Sequence, residues 1–90
     1  MVQKEFNITN PNGLHTRTGN DFVKTAKQYS CGIEITKGDK TADAKSLLKI
    51  MKVNIIQGDS VTITCTGPDE AQALDNLEKL LLSFNEQEQN

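Results

Sequence analysis

His15 is the only histidine among ninety residues, and it stands directly before a stretch of helical spacing. Imidazole is the side chain best suited to exchange protons or accept a phosphoryl group near neutral pH. Taken by itself, such a residue reads most plainly as a solvated loop histidine or a helix cap. Its neighbours move the reading toward chemistry. A helix that begins near Thr16 leaves the backbone N–H groups of Thr16, Arg17 and Thr18 without intrahelical acceptors and carries partial positive charge there. That end suits a phosphate or phosphohistidine group. Arg17 adds a planar guanidinium able to bind phosphate oxygens two at a time, although a lone arginine is common on any surface. The imidazole would be the nucleophile, with amides and guanidinium holding the phosphoryl oxygens as charge redistributes.

Composition limits what else the chain can be. Ninety residues make one domain, 1–90, with a core but no room for a cleft that encloses a substrate, so chemistry belongs on the surface. The net charge of -2, with both signs interspersed, gives no stripe for nucleic acid and points to protein partners. Cys31 and Cys65 are far apart in sequence, lack metal-site spacing and read as free thiols of a reducing cytosol. With a single histidine they make a poor metal set, and no cofactor is called for. The first ten residues lack the apolar run of a signal peptide, and no segment approaches the roughly 18 apolar residues of a membrane span. The chain reads as cytoplasmic, without a membrane partner. An autonomous hydrolase has no positioned base or buried pocket to work with.

The elements that must carry His15 follow from periodicity. Val2, Phe6 and Ile8 alternate with polar residues as in a half-buried strand, and the turn formers Asn10-Pro11-Asn12-Gly13 then break the chain. A loop therefore presents Leu14 and His15. Phe22, Val23, Ala26 and Tyr29 predict a helix from about Thr16 to about Gln28. Ile33 and Ile35 mark a second strand, and Lys37-Gly38-Asp39 a hairpin into a weak third strand near Thr41. Ser46 is a good N-cap for a short helix from Leu47 to Met51. Val61, Ile63 and Cys65 alternate with threonines as the clearest strand in the chain. Pro68-Asp69-Glu70 opens a last helix whose buried stripe is Ala73, Leu74, Leu77, Leu80, Leu81 and Phe84, with Asn85 to Asn90 read as a frayed tail. The fold class is α+β: an open-faced sandwich of a four-stranded antiparallel sheet with three helices on one face.

Pro11-Asn12-Gly13-Leu14-His15-Thr16-Arg17 resembles the phosphorylation-site motif of the HPr family of the sugar phosphotransferase system. Ala44-Lys45-Ser46-Leu47-Leu48 resembles that family's second segment at matching spacing, and the likeness extends over nearly the whole chain. The resemblance implies a βαββαβα sandwich and a phosphocarrier, without turnover of its own, that accepts phosphate at Nδ1 of His15 from phosphorylated enzyme I. It then donates to enzyme IIA domains of sugar transporters, with Arg17 assisting both transfers. It further implies that Ser46 lies near His15, and that in bacteria with a dedicated HPr kinase the serine at this position is a regulatory phosphosite. The partner-facing surface would comprise Asn20, Leu47, Leu48 and Met51. Because the apolar residues of that short helix cannot all point outward, Leu47 and Met51 are expected there before Leu48. A monomer fits a carrier that presents one site to two partners.

The chain departs from the family at the site itself, reading Thr18-Gly19-Asn20-Asp21 where the family usually continues with Pro-Ala-Ala. Thr18 restores a backbone N–H but loses the preset helical angle of proline. Gly19 costs about 1 kcal/mol of helix propensity relative to alanine. A looser anion site is expected, and Asp21, four residues after Arg17, is placed to compete for the guanidinium. These changes motivate a second reading, a regulatory module that keeps the HPr surface and works by docking.

Overall fold

The computed structural model describes residues 1–87. Its elements run β1 (Val2–Asn7), α1 (Thr16–Ala26), β2 (Gly32–Lys37), β3 (Lys40–Asp43), α2 (Leu47–Val53), β4 (Ser60–Thr66) and α3 (Glu70–Gln87). The strands form one antiparallel sheet in the order β1-β4-β2-β3, with Phe6 opposite Val61 and Ile35 opposite Ile63. Alternation decides which face is buried. Phe6, Ile33, Ile35, Ala42, Val61, Ile63 and Cys65 turn to the core, whereas Glu34, Asp43, Thr64 and Thr66 line the open face. Phe22, Val23 and Ala26 of α1, Ile50 and Val53 of α2, and Ala73, Leu77, Leu81 and Phe84 of α3 cover the apolar side.

Three element ends differ from the sequence reading. Helix α1 stops at Ala26 because Gln28 and Tyr29 donate to Thr25 and Ala26, one residue closer than α spacing, which tightens the last turn. Tyr29 is half-buried beyond it. Helix α2 runs on past Met51 to Val53, closed by Asn54 in the left-handed conformation at φ 58°. The missing signal was a glycine, whose place asparagine takes here.

The third difference is the end of α3, where the helix continues through Asn85 rather than fraying. The Asn85 side chain accepts from the N–H groups of Thr9 and Asn10, at 3.1 and 3.2 Å, and donates to the Asn7 carbonyl at 3.2 Å. It thereby satisfies backbone groups where β1 has left the sheet. The rest of the expected tail, 88–90, lies outside the described residues.

Candidate functional site

The loop between β1 and α1 is built by fixed contacts rather than by its own turn propensity. Gly13 has φ +58°, and a Cβ there would stand 2.3 Å from the Ile55 carbonyl oxygen, so glycine is required on both counts. Leu14 N–H donates to that same oxygen at 3.1 Å, and the Leu14 side chain enters the core. The segment after α2 is therefore a wall against which the loop is pressed. Gln57 adds a bond from Nε2 to the Thr9 carbonyl at 3.0 Å.

His15 emerges from this loop as the N-cap of α1, in extended backbone conformation, with its carbonyl accepting from Gly19 N–H at 2.7 Å. Its Nδ1 accepts from Arg17 N–H at 3.4 Å, while Nε2 is buried. The contact turns Nδ1 toward the Arg17 amide. At 3.4 Å it is a long bond that holds the ring over the first turn. Nδ1 thus faces the amide end of the helix, next to Thr16, Arg17 and Thr18, the three residues expected to offer backbone donors.

Arg17 is exposed, and so is Asp21. Contrary to the expected competition, no ion pair joins them among the described residues. A basic residue N-terminal to its acidic partner at this spacing is the weaker orientation on a helix.

Thr18 and Gly19, expected to loosen the anion site, both make close contacts at this end of α1. Thr18 is buried, and its hydroxyl donates to the Gly13 carbonyl at 2.8 Å. Gly19 is buried under α2, where an added Cβ would meet Leu47 Cδ1 at 3.1 Å. Helices α1 and α2 therefore approach closely at the residue whose propensity is poorest, and packing offsets propensity.

Ser46 caps α2, its hydroxyl accepting from Lys49 N–H at 3.4 Å, one residue before the Leu47 contact with α1. Exposure along α2 reverses the expected order. Leu47 is half-buried over Gly19, Leu48 is 68 % exposed and Met51 39 %. The notch left by Gly19 draws Leu47 inward and turns Leu48 outward. Asn20 is exposed on α1. Ile56, next to the wall behind Gly13, is 50 % exposed and escaped the sequence reading because it sits in a loop without periodicity.

The cysteines are free and buried, and the fold brings Cys31, just before β2, near Cys65 on β4. Burial pushes the Cys65 thiol up to about 11. Among the described residues no group of three or more His, Cys, Asp or Glu side chains could hold a metal, and no helix is long and apolar enough to cross a membrane.

A family model described as the PTS HPr component phosphorylation site matches residues 2–83. The chain belongs to the HPr family. It is 44 % identical over 81 residues to the phosphocarrier protein HPr of Haemophilus influenzae, covering 90 % of this chain and 95 % of the relative. A crystal structure of HPr from Thermoanaerobacter tengcongensis superposes with a TM-score of 0.91 at 35 % identity, over 96 % of this chain and 97 % of that one. A second structure from that organism, an HPr dimer, gives a TM-score of 0.74 at 36 % identity, over 92 % and 95 % of the two chains. The HPr sandwich, βαββαβα with a four-stranded sheet and three helices, is the architecture found here.

Proposed function

We propose that the protein is a cytoplasmic phosphocarrier that takes a phosphoryl group from phosphorylated enzyme I onto His15 and passes it to enzyme IIA domains. The observation that carries this reading is the His15 ring at the start of α1, with Nδ1 toward the first-turn amides and its other nitrogen buried. In the acceptance step the Nδ1 lone pair forms a bond to phosphorus as the bond to the donor's leaving nitrogen breaks, and that nitrogen departs with the electron pair. Nε2 keeps its proton. The first-turn amides and Arg17 meet the charge on the transferring oxygens, which is where preorganised donors lower a barrier. Donation to the next protein is the reverse of this sequence on another acceptor.

Partner recognition falls to the exposed surface beside the site: Asn20, Leu48, Met51 and the outer edge of Leu47, with Ile56 adjoining. A phosphoserine at position 46 would add a dianion between α1 and α2, changing that surface where regulators and partners meet it.

The test is incubation of the purified chain with enzyme I, Mg²⁺ and labelled phosphoenolpyruvate, followed by measurement of acid-labile phosphate. Label is expected on the wild type and absent from His15→Ala. Label on both would displace His15 from the reaction, and label on neither would favour the docking module.

A further inference from the structure

Two polar residues are buried among the described residues, Asn10 and Thr18, each 2 % exposed. Both donate to one oxygen, the Gly13 carbonyl, at 3.0 Å from Asn10 Nδ2 and 2.8 Å from Thr18 Oγ1. That carbonyl lies two residues before His15. Within a helix, a threonine hydroxyl ordinarily turns back to a carbonyl three or four residues earlier. Thr18 reaches five residues back, out of α1 and into the loop. Asn10 and the Ile55 carbonyl fix Gly13 and Leu14 from the loop side. The Thr18 hydroxyl is the bond that fastens α1 to the same peptide.

A proline at this position would preset the helical angle but has no donor for Gly13. Threonine supplies the donor instead, so the angle between imidazole and helix is set by a hydrogen bond across the loop.

We propose that Thr18 is a positioning residue for phosphoryl transfer at His15. Its hydroxyl ties the first turn of α1 to the Gly13 carbonyl and so holds Nδ1 and the first-turn amides in register on one phosphoryl group. The role rests on the phosphocarrier reading. Thr18 acts through Gly13, and the docking surface of Leu48 and Met51 is untouched by it.

The experiment compares wild type, Thr18→Val and Thr18→Ser as acceptors from enzyme I and phosphoenolpyruvate, with kcat and KM measured separately. Loss of the hydroxyl is expected to lower kcat about tenfold with KM unchanged, because misplacement affects the transfer and not the docking. Thr18→Ser is expected to recover the wild-type kcat. Should the valine variant fail to fold, Thr18→Ala, which leaves a small void rather than a misplaced methyl, carries the same comparison. A folded variant without the hydroxyl that matches the wild-type kcat overturns the proposal, as does a serine variant as slow as valine. A wild type that takes no label overturns the carrier reading and this role with it, whereas a labelled wild type with an indifferent Thr18 overturns this role alone.

Discussion

At the scale of residues, the site depends on atoms that have no side-chain chemistry. Gly13 carries no functional group, yet its left-handed backbone and its contact with Ile55 place the loop. Gly13→Ala is expected to destabilise the fold by about 2 kcal/mol or more, since a non-glycine residue held at positive φ is strained and its Cβ would meet backbone. Urea unfolding of the variant would show a lower midpoint at unchanged slope, and a midpoint equal to wild type would contradict the account. His15 and Arg17 could be singled out in the sequence because the chemistry proposed for them is written in residue type and position. Thr18 was singled out only for its backbone N–H, and the contact of its hydroxyl was missed because its partner is a carbonyl five residues away that no side-chain pattern announces. The order of exposure among Leu47, Leu48 and Met51 was likewise hidden, since it turns on a glycine in another helix.

At the scale of elements, alternation and helical spacing located all four strands and three helices, and their ends carried the errors. Ends are decided by caps and last-turn contacts, which are local for α1 and α2 and tertiary for α3. Asn85 shows why: read along the chain it begins a polar tail, but in the fold its amide bonds three backbone groups of residues 7, 9 and 10. Asn85→Ala should cost about 1 to 3 kcal/mol through those lost partners, and amide hydrogen exchange at Thr9 and Asn10 should quicken. Unchanged protection at both amides would argue that α3 does not hold the loop. Lys45 plays a comparable part at the other end of α1, donating through Nζ to the carbonyls of Tyr29 and Cys31 at 2.7 and 2.8 Å.

At the scale of the whole molecule, stability should follow pH with a sign set by a few tethered carboxylates. Asp59 is held below its ordinary 3.8 by the Lys37 ammonium, which pairs with it at 2.7 Å, and by Ile56 N–H. Asp69 is lowered chiefly by Ser30 N–H, and Glu70 chiefly by Gly67 N–H. Each binds its proton less tightly folded than unfolded, so the stabilisation is present above the ordinary carboxylate range and is lost as pH falls through the folded values. Cys65 works in the opposite sense: its value is raised from 9.0 to about 11, so that contribution is present below pH 9 and is lost as pH climbs toward 11. Urea midpoints at pH 3, 7 and 10.5 should therefore be highest at 7, and Asp59→Asn should flatten the acid side. A midpoint at pH 3 equal to that at pH 7 would remove these carboxylates from the account.

The strand order β1-β4-β2-β3 also has a meaning in time. Strand β1 has no sheet neighbour until β4 has been synthesised, because its partner begins at Ser60. His15 is translated before Ile55, Gln57 and Asn85, which brace its loop. A nascent chain that has not yet reached Ile55 displays the histidine on a loop without its wall. A chain released before Ile55 therefore lacks the carbonyl that takes the Leu14 N–H and stands against Gly13, and the loop before α1 is left without its wall.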